Sequence, residues 1–371
     1  MVKVVRVLHI VSVLRRGGVE TMLMNFYRHI DREKVQFDFI VHGSQVGEYE
    51  SIITKMGGKI FHVRTKSESF FGNLKDIREV IKKHDYKIVE VHQDAMSMFA
   101  LRAAKQAGAT VRIAHAHSTS MPPSKLGKLV YPFAVNRTTK YASIKFACSK
   151  KSAEYLFNGD VSEVEYVYNA IDINKFSYSR NDRLQIRQKY GLEGFVLAQV
   201  GNFMYPKNQE FTLLVFQQLL EILPGAKLVL CGAGADMEKI QSIAVEKRIE
   251  SAITFTGNVD NIFQMLSAFD VMIMPSFYEG FPVSLIEAQC AGLPCVVSDT
   301  ITKETKITDL ISYESLNMDP KLWAEKIAKF STDNRNGDVR GKYAQKVSKK
   351  GFDVQKVSQE LQKRYLELSK I

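Results

Sequence analysis

Two doubly wound α/β domains in tandem, facing a central cleft, are the architecture this sequence predicts, and three observations predict it. The chain of 371 residues, 45% hydrophobic and 25% charged, is longer than one hydrophobic core usually organises. In both halves, short β-branched runs alternate with segments of helical period. Between the halves lies a polar, weakly periodic stretch with NAIDINKFSYSRND at its heart, which reads as a linker. The expected division is therefore a first domain over 1–172, a linker over 173–190, a second domain over 191–352, and a terminal helix within 353–371 that crosses back towards the first.

The first element, VVRVLHIVSVL, is a strand ending near the Gly17-Gly18 turn, and ETMLMNFYRHI places apolar residues at helical spacing. The alternation continues through FDFIVHG, EYESIITKMG, KIFHV, LKDIREVIKKH, KIVEVH, SMFALRAAKQAG and VRIAHAH. Strands separated by helices of this length form a parallel sheet covered on both faces. The second half opens with FVLAQVGNF, a Gly201 loop and the helix NQEFTLLVFQQLLEI; KLVLCGAG, AITFTG, VMIMPSF and PCVVSD supply further strands. Sheets of this kind bind ligands outside the carboxyl ends of their strands, and a nucleotide-sized ligand fits a cleft between two of them.

Composition narrows the partners. No apolar run reaches the roughly 18 to 20 residues of a membrane-spanning helix, and the amino-terminal segment lacks a signal-peptide pattern, so a cytoplasmic protein is expected. Cys148, Cys231, Cys290 and Cys295 show no zinc-ligand pairing and read as reduced and structural. The net charge of +11 is uneven, because no acidic residue lies between Asp94 and Glu154 while ten Lys and Arg accumulate there. That basic surface admits a nucleic acid, an anionic lipid or a phosphorylated small molecule. No nucleic-acid reading module accompanies it, so nucleic acid is not expected as a partner.

The stretch from Val271 to Asp299 is the richest in chemistry. VMIMP reads as a buried strand, SFYEGFP as a turn around Gly280, and VSLIEAQCAG as a helix starting just after Pro282. Free N–H groups and the positive dipole end at that start form a ready phosphate site. Glu279 stands before the turn, and Glu287 lies within the helix, where it can face the same pocket. Taken singly, Glu279 reads better as a solvated turn residue and Glu287 as a polar-face residue.

PSFYEGFPVSLIEAQCAGLPCVVSD resembles the signature of glycosyltransferase family 4, retaining enzymes of the GT-B fold with two Rossmann-like domains. The two glutamates of that signature are separated by seven residues, as Glu279 and Glu287 are. Pro275, Ser276, Pro282, Ala288, Gly292 and Pro294 match its frame, and GGVE, VYNAIDINKF, GNFMYPKNQEF, CGAG and FTGNVDNIFQML follow the family order. Within the family the chain is most similar to enzymes of bacterial exopolysaccharide and capsule assembly.

The resemblance implies an acceptor-binding first domain and a nucleotide-sugar-binding second one. Glu279, Lys207 and His117 are implied as catalytic: Glu279 with Gly280 and Phe281 on the donor sugar, Lys207 on the diphosphate, His117 on the sugar or its phosphate. Donor contacts are implied for Gly17, Gly18, Asn202, Gly232, Gly234, Val259, Pro282, Val283 and Glu287, the last on the ribose hydroxyls. His115, on the same strand face as His117, and His92 are further strand-end candidates. Where the family usually carries arginine after the second-domain glycine, this chain has Asn202, a neutral amide that cannot replace a permanent bidentate cation. Arg15 or Arg16 compensates, donor binding is weaker, or activity is lost.

No histidine or acidic cluster has metal-ligand spacing and no Asp-x-Asp signature occurs, so no metal or cofactor is expected; the nucleotide sugar, a UDP-sugar by family frequency, is a substrate. The acceptor is a free glycan or a polyprenyl-diphosphate-linked one. Residues 121–151, with Leu126, Leu129, Val130, Tyr131, Phe133 and Tyr141 among the basic residues, read either as a peripheral contact with anionic membrane or as a solvated basic face over a core helix. An epimerase of the same fold and an inactive, transferase-like partner subunit are the rival readings.

Overall fold

The computed structural model describes residues 4–15, 17–118, 125–332 and 337–371, with side chains left aside at 125–130, 332, 337 and 338. Met1–Ala170 together with Val354–Ile371 form one compact unit, and Ile171–Asp353 form a second.

In the first unit the chain runs β1 (Val5–Ile10), α1 (Gly18–His29), β2 (Val35–His42), α2 (Glu50–Lys55), β3 (Ile60–Val63) and α3 (Phe70–His84). It continues through β4 (Ile88–Val91), α4 (Ser97–Ala107), β5 (Val111–Ala116), α5 (Lys125–Tyr141), β6 (Ile144–Ala147), α6 (Lys150–Leu156) and β7 (Val164–Tyr166). The second unit holds α7 (Ile173–Phe176), α8 (Arg180–Tyr190), β8 (Val196–Val200), α9 (Gln209–Ile222), β9 (Lys227–Cys231), α10 (Met237–Glu246) and β10 (Ile253–Gly257). After these come α11 (Ile262–Ala268), β11 (Val271–Met274), α12 (Val283–Cys290), β12 (Cys295–Ser298), β13 (Ile311–Glu314), α13 (Pro320–Ala328), α14 (Gly337–Gly341) and α15 (Tyr343–Lys349). The last helix, α16 (Val354–Leu368), belongs to the first unit.

The first sheet is parallel, with strand order β3-β2-β1-β4-β5-β6-β7. Residues alternate between its faces, and each face carries its own apolar cluster. Val7, Phe37, Phe39, Ile88, Val111 and Ile113 pack under α1 and α16, whose Met22, Phe26, Val357, Leu361 and Tyr365 are buried with them. Leu8, Ile10, Val89, Val91 and Ala114 pack on the other face with Ile77, Leu101 and Leu156 from α3, α4 and α6. The second sheet, also parallel, runs β10-β9-β8-β11-β12-β13. Its order reverses between β8 and β11, as that of the first reverses between β1 and β4. These reversals open the crevices where such sheets take ligands.

The stretch expected as a linker, 173–190, is not one. It folds as α7 and α8 inside the second unit, where Arg183 and Arg187 pair with Asp270 at 2.7 and 2.6 Å and Ser179 N–H donates to Ser267 Oγ at 3.1 Å. The boundary falls at Ala170, because Ile171 bridges to Asp353 and its N–H donates to Phe352 O. The four cysteines are free thiols and buried.

Of the expected basic surface, residues 121–124 and the side chains of Leu126, Leu129 and Val130 lie outside the described residues. Tyr131 packs inward with Ala134, Val135 and Met98, donating its hydroxyl to Tyr155 O at 2.5 Å, and Tyr141 packs on the core. Phe133 projects outward under Arg137, whose guanidinium lies 4.7 Å from the ring centroid. No helix among the described residues is long and apolar enough to cross a membrane.

Candidate active site

In the second unit the site is assembled from the two loops that leave β8 and β11 beside the reversal. After β8 the chain turns at Gly201, with φ +152°. A Cβ there would lie 3.2 Å from Lys207 Cε, so the glycine leaves room for the lysine stem. A single 3-10 turn, Tyr205–Lys207, ends at Asn208 in the left-handed region. Gln199 Nε2 holds Lys207 O at 2.7 Å, Asn208 Nδ2 donates to Pro275 O at 3.0 Å, and Phe277 N–H donates to Pro206 O at 2.9 Å. These bonds stitch the two loops together and set Lys207 Nζ 2.6 Å from Glu279 Oε1, which also accepts from Ser276 Oγ at 2.7 Å.

The turn after Glu279 delivers Gly280, Phe281 and Pro282 to the start of α12 at Val283, as expected. The first N–H groups of a helix have no partner within it, and this start follows Glu279 by four residues. Phe281 is buried and stacked on Phe352, with ring centroids 5.9 Å apart, so packing fixes the turn. Glu287, one turn into α12, is part-buried. Burial pushes its carboxyl up to about 7, against the opposing pull of Lys175.

The remaining donor candidates have separable reasons. A side chain at Gly232 or Gly234 would collide with Gly201 O or Phe203 O. Gly201 N–H donates to Cys231 O at 2.9 Å and Phe203 N–H to Ala233 O at 3.0 Å, so the G-x-G serves close approach of the loops after β8 and β9. Asn202 sits exposed on that loop, its carbonyl accepting from Gln209 Nε2 at 3.0 Å. Val259 is half-buried in the loop after β10.

In the first unit, Gly17 and Gly18 are not a strained turn. Gly17 caps α1 in an extended conformation, φ −106°, and Gly18 is its first residue, so the pair frees a helix start at the end of β1. Arg15 is exposed, and Arg16 lies outside the described residues. His117 directly follows β5, its N–H donating to Asp94 Oδ1 at 3.0 Å.

His117 is not solitary. Five side chains converge on one face of the sheet: His9 from β1, Glu90 from β4 with His92 just after it, and His115 from β5 with His117 just after it. His9 Nδ1 lies 3.1 Å from His92 Nε2, His92 Nδ1 lies 2.9 Å from His117 Nε2, and His115 Nδ1 lies 2.7 Å from Glu90 Oε1. Burial lowers all four imidazoles, His9 to about 4 and His115 and His117 to about 3, so they are neutral at pH 7. Beside them a hollow of about 450 Å³ is lined by Ser12, His42, Lys66, Ser67, His92 and Gln93. Burial brings the Lys66 ammonium down to about 8, and it donates to Gln93 Oε1 at 3.1 Å. Neither Lys66 nor His9 has a local sequence signal; strand register alone could have found His9.

Residues 182–350 match the family Glycosyl transferases group 1, and residues 16–175 match Glycosyltransferase Family 4. The chain is similar to EpsF of Bacillus subtilis (strain 168), named as a glycosyltransferase, with 32% identity over 94% of this chain and 93% of that one. It is 26% identical to an Escherichia coli protein named UDP-Gal:alpha-D-GlcNAc-diphosphoundecaprenol alpha-1,3-galactosyltransferase, over 61% of each chain. Anabaena HepE, solved in complex with UDP, superposes with a TM-score of 0.80 over 99% of this chain and 100% of that one, at 19% identity. The fold is GT-B, and the chain belongs to the family 4 glycosyltransferases.

Proposed function

We propose that the protein is a retaining glycosyltransferase that moves a hexose or N-acetylhexosamine from a UDP-sugar to a glycan or polyprenyl-diphosphate-linked acceptor in surface polysaccharide synthesis. The observation that carries this reading is the Lys207–Glu279 pair, 2.6 Å apart, beside the start of α12. A fixed ammonium, paired with a carboxylate that shortly precedes a helix start, suits a diphosphate whose negative charge grows as the glycosidic bond breaks. In this reaction the acceptor oxygen forms a bond to the anomeric carbon on the face from which the phosphate oxygen departs. The acceptor proton passes to that phosphate oxygen, and UDP leaves. Glu279 holds the sugar and Glu287 accepts from the ribose hydroxyls; His117 of the first unit is a further catalytic candidate. No metal enters this scheme.

The UDP complex of HepE supports the donor nucleotide, and the diphosphoundecaprenol named for the Escherichia coli relative supports a lipid-linked acceptor. Phe133 and Arg137, outward on α5, support a peripheral contact with anionic lipid. Vesicles rich in phosphatidylglycerol should sediment the protein at low salt; no sedimentation removes that contact.

A thermal-shift titration tests the donor assignment. UDP at a hundred times its dissociation constant should stabilise the protein by about 2.7 kcal/mol, with GDP and ADP weaker. No shift with any diphosphate would move the assignment to an inactive partner subunit. The shift should also depend on pH. Glu287 loses its proton near 7, and the carboxylate is the better acceptor for ribose hydroxyls. UDP stabilisation should therefore grow between pH 6 and 8, and Glu287→Gln should abolish that extra growth. Each comparison is made against ligand-free protein at the same pH. This is because a carboxyl held above its unfolded value makes the fold less stable as pH rises from that value to about 7.

A further inference from the structure

We propose that His92, His115 and His117 form a binding site for a divalent transition metal of the zinc class, backed by Glu90 and Tyr365. The placement follows from parallel register. Val91 pairs with Ala114, so the next positions along β4 and β5 are His92 and His115. Alternation keeps Glu90 on the face of His92 and His117 on the face of His115. The rings of His115 and His117 stack with centroids 4.2 Å apart, and His92 lies 5.2 Å from each. One nitrogen from each of the three histidines can be chosen so that all lie within 4.8 Å of one another.

Hydrogen bonding leaves a lone pair on each of the three histidines. Glu90 Oε1 accepts from His115 Nδ1 at 2.7 Å, which puts the His115 lone pair on Nε2, a buried atom with no partner among the described residues. A carboxylate behind an imidazole is the arrangement that fixes tautomer and orientation in metal-bound histidines. Tyr365 in turn donates to Glu90 Oε2 at 2.5 Å. His92 Nε2 lies 3.1 Å from His9 Nδ1; with the proton on Nε2, the His92 lone pair faces His117. His92 Nδ1 and His117 Nε2 are 2.9 Å apart. Two nitrogens at tetrahedral angles on zinc stand roughly 3.3 Å apart, given bonds of about 2.0 to 2.1 Å, so a small opening admits the ion. The proton between them moves to His117 Nδ1, also buried without a partner among the described residues. Three neutral imidazoles favour zinc, nickel or copper over magnesium, which takes oxygen ligands.

His117 is shared with the donor site proposed above, so the test reads metal binding directly and its failure leaves the transferase assignment standing. The full chain, freed of metal with EDTA and desalted, is titrated with zinc chloride by calorimetry. One zinc per chain should bind, and magnesium should give no heat. Glu90→Gln should weaken zinc binding about ten-fold or more, and His115→Asn and His117→Asn at least as much. His117→Asn, at the part-exposed edge, decides the matter should the buried variants fail to fold. The proposal is overturned by the absence of stoichiometric zinc in the native chain, or by native affinity in a folded His117→Asn protein.

Discussion

Replacing Lys207 with alanine should lower kcat/KM for the nucleotide-sugar donor by roughly 10²- to 10³-fold, the loss expected when one preorganised charge-stabilising group is removed from a transition state. The ammonium lies 2.6 Å from Glu279 Oε1 and is held there by the bond from Gln199 Nε2 to its carbonyl and by the room that Gly201 leaves. Its position is thus set before substrate arrives. Most of the loss should fall on kcat, because charge on the departing diphosphate is greatest in the transition state. Lys207→Arg should recover part of it, since the charge remains while the head-group geometry changes. The ion pair is largely buried, but Glu279 keeps the bond from Ser276 Oγ, so its removal should cost the fold about 1 to 3 kcal/mol, and the circular dichroism spectrum should not change. Glu279→Gln should also depress kcat, by withdrawing an acceptor from the sugar. A Lys207→Ala enzyme with native kcat/KM would take the lysine out of the mechanism and leave Glu279 to be tested alone.

What could be read from the residues, and what could not, divides along physical lines. Buried parallel strands are continuous apolar runs, so VLAQV, KLVLC and VMIM are visible in the sequence, and they form β8, β9 and β11. The start of α12 was legible because Pro282 and the turn around Gly280 are local signals. Lys207 and Glu279 were each legible from their motifs, yet their pairing was not, since it depends on bonds between loops more than sixty residues apart. The reason for Gly232 and Gly234 was hidden in the same way, because the atoms they avoid belong to the loop after β8. His9 and Glu90 interrupt apolar strands, and their meaning appears only when register sets His9 opposite Glu90. The clearest misreading was 173–190. Its helix α8 buries Ile186 but otherwise shows no apolar stripe, because arginines rather than hydrophobes attach it.

Those arginines frame the prediction with the largest effect on stability. Arg340 of α14 is buried, and its guanidinium donates to Ala291 O, Phe269 O and Leu266 O at 3.0 Å and to Ser267 O at 3.4 Å. Three of those carbonyls lie at or just beyond the end of α11, where a helix leaves acceptors unpaired and welcomes a cation. Tyr178 stacks on the guanidinium, 4.5 Å from ring centroid to Cζ. A Cβ at Gly292 would lie 2.6 Å from Arg340 Cα, so the glycine permits this approach. Arg340→Ala strands the Leu266 and Ala291 carbonyls, since Arg183 also donates to Ser267 O and Phe269 O at 3.2 and 3.3 Å, and it opens a cavity, a loss of about 3 to 5 kcal/mol. Relief of the repulsion from Arg183 and Arg187, which with burial brings Arg340 down to about 10, offsets part of it. The melting temperature of the second unit should fall by roughly 10 °C. Arg340→Lys should recover little, because a single ammonium cannot reach carbonyls disposed around a planar fork. A fall below about 3 °C for the alanine variant would mean that the Leu266 and Ala291 carbonyls find water or other donors.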